Sequence, residues 1–491
     1  VRSGAILAFI DALEAKGMEL HSLMILRHGA VVAEGWWAPH ESHVPHNVYS
    51  VSKTFLSAAI GLAVADGRLK TSSRLVDLFP EALPDTVDER LARLQIRHLL
   101  MMAAGHDGAD FSTHVLRRED WVRAFFREPM VSEPGERFVY QNSASYMLSA
   151  TIQKLYGKSL AEFLDERLFA PLGIATPHWD CCPKGVSAGG WGLFLPTEAL
   201  ARFGQLYLQR GRWGDLQLIP AVWIEESTAF HIQQLPDVPI AVRGHHYDDP
   251  QHALAALRSS SDWYQGYGYQ IWRGRRGDYR ADGAAGQFIM VLPDQEMVIV
   301  TTASMDPARF FDCLDEHLLS GVSNSPLPEG TGEQEKLRAK IESLALPVPA
   351  GEMTASGAAR IADRWFALSD NSLGAQALRL RWEGDRCDLT LERAHGPIDI
   401  PLGFERWVTS RVQAPDLTPW NIMGKTVHAS EVAIAGAFAW SNARTLILHL
   451  RFIESAQHYR VTVRVAEDAL TFENREALGR VDYFSGLPLL V

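Results

Sequence analysis

The stretch Tyr49–Leu69, Tyr-Ser-Val-Ser-Lys-Thr-Phe-Leu-Ser-Ala-Ala-Ile-Gly-Leu-Ala-Val-Ala-Asp-Gly-Arg-Leu, constrains this chain more than any other. From Thr54 to Ala65 it is apolar nearly all the way round, and Ala58, Ala59, Gly61, Ala63 and Ala65 leave small faces for close approach. That pattern predicts a helix buried at a domain centre. Ser50 and Lys53 stand at its start. Three residues apart on a helix, they share one face, so the ammonium reaches the hydroxyl. The helix N-terminus leaves free N–H groups and partial positive charge beside Ser50, where they favour negative charge developing on its oxygen. A lysine desolvated there loses basicity and becomes competent as a base near neutral pH. The pattern Ser-x-x-Lys is short, and the same residues also suit an N-cap serine followed by a solvated lysine. Of the nine lysines, however, only Lys53 follows a serine by three places, and it does so in the least polar helix of the chain.

With 491 residues, 47% of them apolar and 22% charged, the chain is long enough for two or three globular domains. A net charge of −12 argues against nucleic acid or an anionic membrane surface as the main partner. No apolar run reaches the roughly 18 residues of a membrane span. The N-terminus enters an amphipathic pattern at once (Ile6, Leu7, Phe9, Ile10, Leu13) rather than a signal sequence. Because residue 1 is valine, a leader removed by processing is compatible with this reading. Four scattered cysteines, Cys181, Cys182, Cys313 and Cys387, make neither a disulfide framework nor a zinc spacing. A cytoplasmic protein without metal or cofactor is the expectation.

In chain order, Leu23–Leu26 and Ala30–Trp36 read as a hairpin about Arg27-His28-Gly29. Pro134-Gly135 is turn chemistry directly ahead of Val139-Tyr140-Gln141-Asn142, and Ser143 to Tyr156 is helical, ended by Gly157. A second helix runs from Leu160 to Phe169, and the glycine-rich loop Ser187–Gly192 precedes a third from Thr197 to Gln209. Residues 229–262 are polar, proline-bearing and carry four histidines, a composition that suggests an irregular lid. Gly268–Trp272, Gln287–Leu292 and Met297–Thr302 read as strands of an antiparallel sheet, and Pro307–Leu319 as a closing helix. The segment 321–350 reads as a linker with a short helix, and residues 351–491 as a separate, mostly β domain.

The order Ser50-x-x-Lys53, then Tyr140-x-Asn142 behind Pro134-Gly135, then Pro171-Leu172-Gly173, Gly189-Gly190 and a glycine-rich turn into a strand resembles the serine β-lactamase and penicillin-binding-protein superfamily. Within it, the pattern is most similar to the class C-like branch of esterases, D-aminopeptidases and 6-aminohexanoate-dimer hydrolases. Over residues 1–320 the resemblance implies an α+β fold, a helical domain beside an antiparallel sheet flanked by helices. It further implies Ser50 as nucleophile, Lys53 and Tyr140 as general base and acid, and Asn142 as a partner of Lys53 or the substrate. A phenol beside an ammonium is expected to have its pKa lowered. The third motif is expected at Ala284-Ala285-Gly286, with the amides of Ser50 and Gln287 as the oxyanion hole and Gly286, Trp191 and His106 on the substrate side.

The cation usual in that third motif is absent, so a neutral ester or amide fits better than a β-lactam, and nothing in the sequence aims Arg276 or Arg280 at the site. The partner is therefore a small ester, amide or peptide substrate, and a homo-oligomer is compatible with the sequence. Two alternatives stay open: a β-lactamase, D-amino-acid peptidase or penicillin-binding protein, and a catalytically silent scaffold. The C-terminal domain resembles β-rich domains, some of them small barrels, that such hydrolases carry. Gly185-Val186-Ser187-Ala188-Gly189 matches the Gly-x-Ser-x-Gly nucleophile elbow, but it lacks the strand before and the helix after that the elbow requires.

Overall fold

The computed structural model describes residues 1–107, 115–325, 327, 332–413, 431–467, 469–477 and 479–489. They form two compact units, the first built from Val1–Gly35 and Asn47–Glu342, the second from Trp36–His46 and the described residues from Ser343 onward.

The first unit is organised on a six-stranded antiparallel sheet, in the order Ala30–Trp36, Glu19–Arg27, Met297–Ser304, Gln287–Leu292, Tyr279–Gly283, Trp272–Arg273. Its central strands are buried almost throughout, so both faces must be covered. On one face Phe288 packs against Phe310 and Phe311, and Phe9 of the helix Ser3–Ala15 meets Phe310 edge-on at 5.7 Å. On the other lies the helix Thr197–Leu208. There a Cβ on Gly204 would come within 2.6 Å of Val298 and 2.7 Å of Ile289, so only glycine lets the helix sit this close to the sheet.

The helix predicted from Thr54 spans Ser52–Ala65, and every residue from Ser52 to Ala63 is buried. Phe55 stacks on Phe203 at 3.8 Å, and the vacant Cβ position of Gly61 is occupied by the Trp223 indole. The helix Asn142–Tyr156 ends at Gly157 in the left-handed conformation, as the turn glycine requires.

Two local readings need correction. Residues 229–262 are not irregular throughout: they hold a small hairpin, Ile240–Val242 with His245–Tyr247, and a helix Pro250–Arg258 capped by Asp249. In the stretch Gly268–Trp272, the strand begins only at Trp272, because Gln270 sits at φ 61° and turns the chain. The short helix expected in the segment 321–350 spans Gly332–Glu342 and bonds through Lys340 to Asp11 and Glu14 of the N-terminal helix.

The second unit is a closed β-barrel. Strands Ile398–Phe404, Arg386–Arg393, Ala375–Glu383, Trp365–Leu368, Val481–Pro488, Leu470–Glu476, His458–Val465, Thr445–Phe452 and Glu431–Asn442 follow one another around it. Closure comes from Leu402–Phe404 pairing parallel with Gly436–Phe438, while Val408–Gln413 covers the rest of that edge. Inward side chains such as Leu389, Ile400, Leu402, Phe438, Leu448 and Val463 fill the interior, which is how a small barrel makes its core. Among the described residues, no helix is long and apolar enough to cross a membrane.

Candidate active site

Ser50 lies in the 3₁₀ turn Tyr49–Val51 that leads into the buried helix. The turn is held in an uncommon shape. Tyr49 has φ 50°, a region that costs a bulky residue on the order of 1–2 kcal/mol and persists only where surrounding contacts fix it. Here Asn47 Oδ1 accepts from the Tyr49 amide at 2.8 Å, Ser52 Oγ donates to the Tyr49 carbonyl, and the Val48 amide donates to the Leu193 carbonyl at 2.9 Å. The half-buried Ser50 side chain is thus placed by backbone that cannot relax freely.

Lys53 is 1% exposed. Its Nζ donates to Ser50 Oγ at 2.9 Å, Asn142 Oδ1 at 2.8 Å and the Gly190 carbonyl at 2.7 Å. All three acceptors are neutral, so burial lowers the lysine pKa from 10.5 to about 7. At neutrality a large fraction of Lys53 is therefore a free amine. A neutral amine has two N–H groups, enough for Asn142 and Gly190, and one lone pair left to accept from the Ser50 hydroxyl.

Asn142 opens the helix Asn142–Tyr156, whose next turn brings Ser145 Oγ onto Gln270 Oε1 at 2.7 Å. Gln270 binds the helix Ser52–Ala65 as well, its carbonyl accepting from Thr54 Oγ1 at 3.0 Å, and its Nε2 donates to the carbonyls of Leu99 and Leu100. Sequence reasoning missed this residue. Gly190 was legible only as part of a glycine pair, yet its role is specific: a Cβ there would stand 3.3 Å from both Lys53 Nζ and Asn142 Oδ1.

Tyr140 lies across from these groups. The Lys53 ammonium sits 4.8 Å from the centre of its ring, over the face rather than at the hydroxyl. The expected lowering of the phenol pKa is accordingly reversed. Burial of the hydroxyl end pushes it above its ordinary value, and hydrogen bonding to Ser50 and Trp272 opposes this only in part. Tyr140 is a neutral phenol at physiological pH, suited to donate or relay a proton rather than to act as phenolate.

The remaining expected residues are less exposed to a substrate than their sequence positions implied. Ala284–Gly286 is a tight turn, with Ala285 at φ 63°, not a strand. The strand that meets the Tyr49–Val51 turn is Tyr279–Gly283, where a Cβ on Gly283 would clash with the Val48 carbonyl. Gly286 instead makes room for Met305 and Ala303. Gln287 begins the next strand with its side chain fully used, donating to the carbonyls of Ala284 and Ala303 and accepting from the Ala303 amide. Trp191 is 4% exposed and stacks on Trp121. His106 is buried edge-on against Phe125, which lowers its pKa to about 4 and keeps it neutral. Of the loop Gly105–Asp110 around it, residues 108–110 lie outside the described residues. Ser187 is buried, with its carbonyl bound by Ser149 Oγ, in a loop with no strand-turn-helix about it. Arg276 is committed to Asp262 and Asp315, and Arg280 to Asp282, so neither offers a free cation to the site.

Gly283 supplies a direct check on this geometry. Gly283→Ala is expected to destabilise the protein by about 1–3 kcal/mol, as overpacking does, and to lower kcat/KM by more than about tenfold by moving the strand off the nucleophile turn. Thermal unfolding and steady-state kinetics read the two effects separately.

A family model described as Beta-lactamase matches residues 9–321. Penicillin-binding protein 4 of Amycolatopsis lactamdurans is 25% identical over 370 residues, which cover 67% of this chain and 88% of its own. Among solved structures, the octameric penicillin-binding protein homologue from Pyrococcus abyssi is 15% identical with a TM-score of 0.48, covering 98% of this chain and 99% of its own. A penicillin-binding protein from Bacillus halodurans is 16% identical with a TM-score of 0.47, covering 63% and 98% respectively.

Proposed function

The chain belongs to the β-lactamase family, whose model matches residues 9–321, and from that premise we propose that it hydrolyses an ester or amide through an acyl-Ser50 intermediate. The observation that carries this reading is the Lys53 amine, buried against neutral acceptors only and bonded to Ser50 Oγ at 2.9 Å.

In the acylation step the Ser50 oxygen attacks the acyl carbon and its proton passes to the Lys53 amine. The oxyanion that forms is held by the Ser50 amide and a second amide from the Gly283–Gln287 turn, Gln287 being the donor expected from sequence. Collapse of the tetrahedral species breaks the bond to the leaving group, which takes a proton from Tyr140, and Tyr140 recovers one from the Lys53 ammonium by way of solvent, since Lys53 faces the ring and not the hydroxyl. Water then attacks the acyl carbon, giving up a proton along the same route. Ser50 leaves with a proton returned, and the acid product departs.

A family member that recognises a substrate carboxylate needs a cation at the site, and the pairing of Arg276 and Arg280 with aspartates removes the two candidates. This favours an uncharged acyl group over a β-lactam. The penicillin-binding relative supports a second reading, a β-lactam or D-alanyl peptide substrate, which turnover of a chromogenic cephalosporin at a rate matching that of simple esters would establish.

The test is hydrolysis of p-nitrophenyl esters and anilides of short acids. Tyr140→Phe, which keeps the ring on Trp272 and removes the proton donor, is expected to lower kcat by about 10²–10⁴-fold, more for anilides than for p-nitrophenyl esters, whose leaving group needs no proton. Equal losses on the two substrates would contradict the assignment of Tyr140 as the acid.

A further inference from the structure

Gln270 is 2% exposed, and each of its polar groups is bonded to a segment that leads to the groups around Ser50. Its backbone amide donates to the Leu100 carbonyl at 2.9 Å, and its Nε2 donates to the carbonyls of Leu99 and Leu100 at 3.1 Å and 3.0 Å. The Gln270 carbonyl accepts from Thr54 Oγ1 at 3.0 Å, and Oε1 accepts from Ser145 Oγ at 2.7 Å.

Thr54 follows Lys53 directly on the buried helix. Ser145 lies one helical turn beyond Asn142, and its side chain packs at Gly190, where an added Cβ would come within 3.1 Å of Ser145 Cβ. Ser145 thus rests against both segments whose oxygens accept from Lys53 Nζ, those of Asn142 and Gly190. Leu100 leads to Met102, whose carbonyl accepts from the Val139 amide at 2.8 Å, directly before Tyr140. Two residues on from Gln270, Trp272 stacks on the Tyr140 ring at 5.6 Å. The backbone of Gln270 is itself held at φ 61°, which glycine adopts without steric cost and glutamine does not. That strain persists because the side-chain bonds fix it.

We propose that Gln270 is a positioning residue for hydrolysis at Ser50: it clamps the Asn142 helix, the Gly190 turn and the Tyr140 segment onto the helix of Lys53, and so keeps the Lys53 amine on Ser50 and out of water. This deepens the hydrolase reading and rests on it. The acceptors around Lys53 are neutral, and among the described residues the titratable group that faces it is the Tyr140 phenol. Water admitted by a loosened clamp therefore returns the lysine toward its ordinary basicity.

Gln270→Gly relieves the backbone strain and removes the side-chain bonds. In the full chain it is expected to lower kcat for p-nitrophenyl ester hydrolysis by at least about 30-fold with KM within about threefold of the parent. The limb of the pH–rate profile is expected to move upward from about 7 by at least about half a pH unit. Ser145→Ala, which deletes one bond of the clamp, is expected to lower kcat by about tenfold in the parent and by less than about twofold in Gln270→Gly. A rate loss that tracks the folded fraction with the limb unmoved, or losses that multiply in the double variant, overturn the proposal.

Should Gln270→Gly fail to fold, Ser145→Ala decides alone: an upward-moved limb with the tenfold loss supports the clamp, and an unmoved limb overturns it. If the parent hydrolyses no ester and Ser50 takes no acyl group, the hydrolase reading fails, and the clamp is read without substrate. NMR of lysine labelled at the ε-carbon, with Lys53 identified as the signal missing from Lys53→Met, is expected to give a midpoint near 7 in the parent and a higher one in Gln270→Gly or Ser145→Ala. Equal midpoints remove the clamp.

Discussion

Ser50→Ala is expected to lower kcat for ester hydrolysis by at least about 10⁴-fold while leaving the melting temperature within about 2 °C of the parent. The two halves of that result come from different features. Ser50 is only half-buried and its hydroxyl bonds Lys53 and Tyr140, so alanine leaves Lys53 with Asn142 and Gly190, leaves Tyr140 with Trp272, and opens no cavity in the core. The proposed chemistry, by contrast, loses the atom assigned to the covalent intermediate. Steady-state kinetics beside thermal unfolding separate the two. A drop of less than about tenfold would place the nucleophile elsewhere.

Lys53→Met should lower kcat by about 10³-fold or more and, at neutral pH, raise rather than lower stability. The sign follows from the shift. Lys53 has a pKa of about 7 in the folded protein against 10.5 unfolded, so between those values the unfolded chain binds one more proton than the folded one. Stability therefore rises with pH through that window, and the cost of the buried ammonium is fully present below about pH 7. At about 1.36 kcal/mol per unit, the cost is roughly 5 kcal/mol, an order of magnitude only. Methionine of similar length removes it, and the variant should lose the alkaline rise seen in the parent. The same group sets the rate: activity of the parent should climb with pH along a limb centred near 7, where Lys53 gives up its proton. Chemical denaturation and pH–rate profiles measure both. A limb centred near 10 would show a lysine in ordinary solvent.

The candidate site was legible in the sequence where side chains with strong chemistry sit on strongly periodic elements. Ser50 and Lys53 bond as their spacing on one helix face implied, and Asn142 bonds Lys53 in line with what the family resemblance implied, the apolar helix and the Asn142–Tyr156 helix each being buried over most of its length. What escaped was carried by backbone. The Gly190 carbonyl and the positive φ of Tyr49 and Gln270 leave no pattern in residue type, since Tyr and Gln are poor predictors of left-handed backbone. The strand Tyr279–Gly283 was missed for a different reason. Arg280 and Asp282 look like solvated charges, yet they neutralise each other inside the structure, and the alternation then reads as loop. The pKa direction of Tyr140 depended on whether Lys53 faces its ring or its hydroxyl, which spacing along the chain does not encode. In the second unit, the strands Val408–Gln413 and Val481–Pro488, the latter paired with both Trp365–Leu368 and Leu470–Glu476, carry turn and charged residues that interrupt their alternation, so barrel closure was not visible in the sequence.

The measurement closest to the central claim is covalent labelling with a fluorophosphonate probe, followed by mapping of the modified peptide. An activated Ser50 predicts a single phosphonylated site in the peptide containing Ser50, formed faster as pH rises through 7 and absent from Ser50→Ala. A label on Ser187, or folded protein that takes no label at any pH, would contradict it.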